Sequence, residues 1–386
     1  MALAALTAAI DELTKLDPAT LADHDTMIDL HRQLDRLEAT ATRAAAALDA
    51  KREWEEWKFR SAASWIAWRC RRSHSAARAE IALGRALRHL PEAEKAWLDG
   101  AISAEHVRVL ARARRPATAE RLAADEKMLV GKAMCTDLSF RQFCRLVAYW
   151  AQLADPDGAD RDAADQADQR RFHLSQSFQG MWYADGVFDP ITGAIVNREL
   201  SRIEKEFFDA EWADAKARLG REPTIADLSR TPGQRRADAL VEMAIRSASA
   251  PADARRPEPL FTILVGWETF KGRICQLANG TVVAPGALVP WLHQAWIERV
   301  VFGAPSRVID VGATRRLFSG ATRRAIQIRD QECFHPACDE SFEDCQADHI
   351  VPYAADGPTS QDNGRMACGF HNRSRNKPPP GHDPPG

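Results

Sequence analysis

Apolar residues along the first 150 positions recur at helical spacing. Met27, Leu30, Leu34 and Leu37 follow one another at intervals of three and four, and the alanine-rich run after Ala39 continues a good helix former, which predicts one long helix. The apolar start, Met1 to Ile10, runs into Asp11 and Glu12 within an amphipathic pattern and reads as a first helix rather than a signal peptide. A second stretch passes through Ala62, Trp65, Ile66 and Trp68, breaks near Ser73, and resumes through Ala76, Ile81, Leu83 and Leu87 until Pro91 stops it. Ser73 or Ser75 suits the N-cap of the resumed helix. The same grammar returns at Trp97 and Leu98, with a turn at Asp99-Gly100, Ser103 as a start signal, and Val107, Val109 and Leu110 before Pro116.

The pattern changes at 154–168, where six Asp and one Arg leave almost nothing to bury; this stretch reads as an acidic linker or exposed loop. Positions 172–188 alternate and carry turn signals at Gln179-Gly180 and Asp185-Gly186, which predicts short strands. Asp189-Pro190 opens a helix through Val196, Leu200 and Ile203, and another runs from about Gln234 to Ser247. A stretch rich in proline and charge at 250–259 marks a second boundary, followed by strands expected at 260–266, 281–284 and 307–311 and a helix at 290–300. The expected organisation is a predominantly helical domain over 1–250, a mixed α/β connecting region over 251–320, a compact module over 321–377 and an extended, disordered tail at 378–386.

With 386 residues, 45% hydrophobic and 27% charged, the chain can bury more than one core. The net charge of −2 conceals local asymmetry, because 51–115 holds fifteen Lys and Arg against eight Asp and Glu. No stretch approaches the ~20 apolar residues of a membrane span, so no membrane partner and a cytoplasmic location are expected. Among the cysteines, Cys70, Cys135, Cys144 and Cys275 are scattered through apolar sequence and read as buried, unpaired thiols. Cys333, Cys338, Cys345 and Cys368 instead fall within 36 residues, and in a reducing compartment metal ligation explains such a cluster better than disulfides.

Two pairs of soft ligands, Cys333-x4-Cys338 and Cys368-x2-His371, can close a tetrahedral structural Zn²⁺ site of the Cys3His kind and staple a module too small to hold itself together. Cys345 is a spare thiol that either replaces Cys338 or packs under the module, and His335 reads as an exposed loop residue rather than a ligand. Between and just beyond the pairs lie harder groups: Asp348, His349, Asn363 and Asn372. A phosphodiester is hydrolysed when a water is deprotonated near phosphorus while a cation offsets the growing charge. The Asp348 carboxylate and the Asn372 amide suit Mg²⁺ or Mn²⁺, and histidine is the residue type suited to act as general base near neutral pH, which makes His349 the candidate.

The Asp348-His349-Ile350-x-Pro352 element, Asn363, and Cys368-x2-His371-Asn372 followed by basic residues resemble the three parts of the motif of HNH, or ββα-metal, endonucleases. The phrases Ser64-Trp-Ile-Ala, Ala86-Leu-Arg-His-Leu-Pro91, Gly100-Ala-Ile-Ser-Ala-Glu-His106, Arg236-Ala-Asp-Ala-Leu240 and Arg329-Asp-x-x-Cys333 resemble the mostly actinobacterial HNH family with a helical N-terminal domain of unknown function, the thirteen-E-twelve repeat family. The resemblance implies a chain that is mainly α, with a mixed α/β middle and a C-terminal ββα-metal module stapled by zinc. It also implies a catalytic set of His349 as base, Asp348 and Asn372 as ligands of the catalytic metal, and Asn363 holding the loop that orients His349.

The expected function is metal-dependent hydrolysis of DNA. Arg323, Arg324 and Arg329, with Arg315 and Arg316, would form a DNA-facing strip, and Arg373, Arg375 and Lys377 would lie near the phosphate. Against this, 321–386 holds ten acidic residues to seven basic ones, so affinity for DNA has to come partly from elsewhere in the chain. The helix pairs near Ser73 and Ser103 can be read as helix-turn-helix elements with Arg71, Arg72, Arg78, Arg85 and Arg88 facing DNA, but capped helices in an all-helical core with solvated arginines are the commoner arrangement. The alternatives are a non-catalytic, zinc-stabilised DNA-binding protein and a protein-interaction module with a vestigial HNH part. A homodimer would serve cleavage of both strands.

Overall fold

The computed structural model describes residues 1–251, 260–265, 275–277, 280–288, 296–301, 317–336 and 338–374. The chain is mainly helical and divides into two units, Met1–Ala154 and Asp155–Gly386.

The first unit is built from α1 (Ala2–Lys15), α2 (His24–Lys51), α3 (Ala62–Arg69), α4 (His74–Leu87), α5 (Pro91–Leu98), α6 (Ala104–Ala113), α7 (Ala119–Ala133) and α8 (Phe140–Ala154). The long helix expected through Leu30 and Leu37 is α2, and Ser73 is the cap of α4, its side chain accepting the Ala76 N–H at 3.1 Å. One apolar cluster gathers Leu90, Trp97, Val107, Leu110, Leu129 and Phe143 from α5 to α8, and a smaller one packs Ala45, Ala62, Ile66, Ala77 and Ile81 where α2, α3 and α4 meet. The arginines of the α3–α4 region are partly spent within the unit: Arg85 donates to Asp49 through Nε at 2.8 Å, and Arg72 lies 3.4 Å from Glu80.

A buried carboxylate starts α5. Pro91 is its first residue and Leu90 offers no capping side chain, so the first turn leaves donors without a partner from its own segment. Glu126 of α7 reaches across and accepts the Ala93 N–H at 2.9 Å.

In the second unit the acidic segment is a helix, α9 (Pro156–Asp168), not the loop its composition suggests. Asp155 caps it by accepting the Gly158 N–H at 2.9 Å, Pro156 occupies the first turn, and the alanines between the acids favour helix. The hairpin β1 (Arg171–Gln176) and β2 (Trp182–Val187) then leads into α10 (Pro190–Leu219) and α11 (Pro232–Ser249). Arg235 is buried between these helices, its Nη1 donating to Glu211 at 3.0 Å and to the Arg230 carbonyl at 2.6 Å.

A mixed sheet follows in the order β5-β4-β3-β6, comprising β3 (Leu260–Val265), β4 (Cys275–Leu277), β5 (Val282–Val283) and β6 (Trp296–Val301). Residues 296–301 are therefore strand rather than the C-terminal part of a helix, and they pair in parallel with β3. The β-branched Ile297, Val300 and Val301 favour that state once a partner strand is present. The strand expected at 307–311 and the tail at 378–386 lie outside the described residues.

The chain then forms α12 (Gly320–Asp330), β7 (Cys345–His349), β8 (Gly364–Cys368) and α13 (Gly369–Ser374). β7 and β8 are antiparallel, with Cys345 opposite Cys368, Asp348 opposite Arg365 and His349 opposite Gly364. α12 lies on this ribbon, and Ile326 and Met366 are fully buried between them. Gly364 eases that approach, since a Cβ there would lie 2.2 Å from Ile326 Cδ1 and 2.9 Å from a ring carbon of Phe318.

Burial raises the Glu126 carboxyl above its ordinary value of 4.5, so folding favours the protonated form. Its contribution to stability is fully present below pH 4.5 and is lost as the pH rises through the raised value. Glu126→Gln keeps the acceptor without the charge and should melt no lower than wild type at neutral pH, with a flatter pH profile. Glu126→Ala should lose about 1–3 kcal/mol in denaturant titrations.

Candidate metal centre and active site

Four side chains from three pieces of chain meet at one point. Cys333 and Cys338 come from the turn after α12, Cys368 ends β8, and His371 sits on α13; one ligand atom from each lies within 4.8 Å of all the others. Cys338 Sγ and Cys368 Sγ are 3.9 Å apart, and His371 Nδ1 lies 3.4 Å from Cys333 Sγ and 3.2 Å from Cys368 Sγ. A tetrahedral zinc bound at about 2.3 Å to sulfur and about 2.0 Å to nitrogen separates its sulfurs by about 3.8 Å and sulfur from nitrogen by about 3.5 Å. The cluster can therefore hold a metal ion, and its three thiols and one imidazole are the donor set of a structural zinc site.

The surroundings suit ligation. Backbone N–H groups of Cys368 and His371 donate to Cys333 Sγ and Cys368 Sγ, each at 3.4 Å, as around a knuckle. Burial, and then its two neighbouring thiols, push the Cys338 thiol up to about 12, crowding that a bound cation reverses. Burial and the adjacent His335 lower His371, which keeps its imidazole neutral and able to bind. His335 stacks on His371 with ring centroids 3.9 Å apart and is not one of the four. Cys345 is also outside the group: it is buried under the module, with Sγ 3.8 Å from the Glu340 carbonyl, so Cys338 and not Cys345 belongs to the set that could hold a metal.

The end of α12 holds this knuckle to the ribbon. Asp330 accepts the Met366 N–H at 2.8 Å, while Arg329 donates to the Gln361 carbonyl at 2.7 Å and the Gly364 carbonyl at 2.6 Å. The Arg329-Asp-x-x-Cys333 phrase is thus a structural unit: two side chains fix β8, and the fifth residue begins the Cys and His cluster. Arg329, expected to face DNA, has its guanidinium committed to the protein.

Asp348, His349 and Asn363 lie at the far end of the ribbon, whereas Asn372 lies on the helix beside the Cys and His cluster. Asp348 and His349 are adjacent at the end of β7 and point to opposite faces. His349 packs its ring 4.3 Å from Phe318, and its Nε2 lies 3.0 Å from Thr359 Oγ1. Asn363 bolts the loop that follows. Its Oδ1 accepts the Val351 N–H at 2.8 Å, and its Nδ2 donates to the carbonyls of Val351 at 3.0 Å and Pro358 at 2.8 Å. Gly357 passes so close that a Cβ would lie 2.0 Å from the Val351 oxygen. Asn372 on α13 donates to Gln346 Oε1 at 2.7 Å; Gln346 lies two residues before Asp348, on the same strand face.

Of the expected nucleic-acid contacts, Arg323 is exposed on α12, and the charge of Arg324 acts on Glu343. Arg373 lies 5.0 Å over the Trp212 ring of α10. Arg375, Lys377, Arg315 and Arg316 lie outside the described residues. Thr359, Phe318 and Arg365 escaped sequence reasoning because their roles depend on which strands pair; only the register brings Arg365 opposite Asp348.

Comparison with known families places most of the chain. Residues 25–330 match the family described as Domain of unknown function (DUF222), and the chain belongs to it. The matched span runs from α2 to the end of α12 and stops before Cys333. No curated protein and no solved structure matches the chain.

If the four grouped side chains hold the metal, purified protein should carry about one zinc per chain, and Cys338→Ser should lose it while Cys345→Ser keeps it; metal analysis of the three proteins checks this. Asn363→Ala removes the three hydrogen bonds of a buried side chain and should cost about 1–3 kcal/mol in a denaturant titration without loss of zinc.

Proposed function

We propose that the chain is a metal-dependent endonuclease of the HNH type that hydrolyses DNA phosphodiester bonds. The observation that carries this reading is the adjacency of Asp348 and His349 at the end of a strand whose neighbouring strand and helix present the Cys3His cluster, with Asn372 tied to the Asp348 face.

The chain's own groups divide the work. His349, its ring supported by Phe318 and Thr359, takes the proton from the attacking water. Asn363 keeps the loop behind that imidazole in one conformation. Asp348 and Asn372 offer a carboxylate and an amide oxygen, a hard and sparse donor set that leaves positions for water and phosphate. Mg²⁺ or Mn²⁺ held there would neutralise the charge gathering on the phosphate and the leaving oxygen. The Cys3His cluster has the separate task of holding β8 and α13 in place.

The test is nicking of a supercoiled plasmid with Mg²⁺ or Mn²⁺, run beside His349→Ala and a chelator. Cleavage should fall about 10²- to 10⁴-fold in the variant while its zinc content stays the same. Absence of cleavage by zinc-replete wild type would leave a DNA-binding protein that uses the module for docking.

A further inference from the structure

The antiparallel register sets Arg365 of β8 directly opposite Asp348, on the same face of the ribbon. Its Nε and Nη2 both lie 3.4 Å from Asp348 Oδ2. Its guanidinium carbon is 3.6 Å from the centroid of the Phe334 ring, and this stacking fixes the plane of the group. Two donors on one edge therefore face the carboxylate, but at a distance well beyond the about 2.7–2.9 Å of a tight charge-assisted bond. The pair is partly open to solvent, with side-chain exposures of 23% for Arg365 and 9% for Asp348. Such a contact can be exchanged for a stronger partner of the carboxylate.

We propose that Arg365 is a phosphate-contacting residue of the candidate site, and that Asp348 occupies its donor edge until a divalent cation takes the carboxylate. The inference rests on the endonuclease reading. Arginine and cation compete for Asp348 Oδ2, so the metal-free protein keeps its acid neutralised. Once the carboxylate turns to the cation, the Phe334 stack keeps the guanidinium where it is, and Nε–H and Nη2–H face the space beside the cation. A phosphodiester held by the same cation presents its second non-bridging oxygen to those donors, in the forked geometry that guanidinium matches and ammonium does not.

The experiment measures Mn²⁺ binding by electron paramagnetic resonance, and Mn²⁺-dependent binding of a short DNA duplex, in a His349→Ala background where the duplex stays intact. Adding Arg365→Gln should tighten Mn²⁺ about threefold to tenfold, because a competitor is gone, and weaken the Mn²⁺-dependent duplex affinity about tenfold. Arg365→Lys, which keeps the charge and loses the fork, should restore part of the duplex affinity. Zinc at one per chain in each variant shows that the module is folded. An arginine that merely props up the fold would weaken both ligands together, and unchanged Mn²⁺ or duplex affinity in zinc-replete Arg365→Gln would equally overturn the proposal while leaving the endonuclease reading intact. Mn²⁺ binding that survives Asp348→Asn would overturn that reading and this inference with it.

Discussion

The meeting of Cys333, Cys338, Cys368 and His371 is the constraint on which the C-terminal site depends. The ribbon has two strands of five residues and the helix after it has six. Neither is stable alone, since a lone hairpin is marginal in water and a helix of under two turns does not repay its nucleation. The apolar cluster beneath them is small, centred on Phe318, Ile326, Phe342 and Met366. A metal bound by the four side chains would join the turn after α12, the end of β8 and the start of α13 in one step, and its binding free energy would count as folding free energy.

The register of the ribbon carries that constraint to the candidate chemistry. A slip of one residue would turn Gln346 and Asp348 together to the other face of the ribbon and separate them from Asn372 and Arg365. Three features pin it: Cys368 in the cluster, the Met366 N–H on Asp330, and the carbonyls of Gln361 and Gly364 on Arg329. Gly364 adds a steric preference, because a Cβ there would have to displace the Ile326 and Phe318 side chains. Soft thiols that could bind zinc thus sit within the frame, and the hard oxygens proposed to bind a different cation are displayed on it.

Much of this was legible in the sequence, and the reasons are local. Helices with long apolar periods, such as α2 and α10, follow from side-chain spacing alone, and the Cys3His ligands follow from pairs of cysteine and histidine separated by a few residues. The misreadings arose where a neighbour decides. The 154–168 stretch has the composition of a loop, yet Asp155 supplies the cap that starts a helix. Residues 296–300 fall in the helix expected at 290–300, but β3 offers them a parallel partner. Glu126 caps a helix that begins more than thirty residues earlier, and Arg329 bonds carbonyls more than thirty residues later, so neither role leaves a mark in its own segment. Among the described residues no helix is long and apolar enough to cross a membrane, in line with the hydropathy pattern.

X-ray absorption at the zinc K-edge of the purified protein tests the central claim most directly. The account predicts one zinc surrounded by three sulfurs at about 2.3 Å and one nitrogen at about 2.0 Å, unchanged when Cys345 is replaced by serine. A shell of four sulfurs, a shell dominated by oxygen, or the absence of zinc would contradict it.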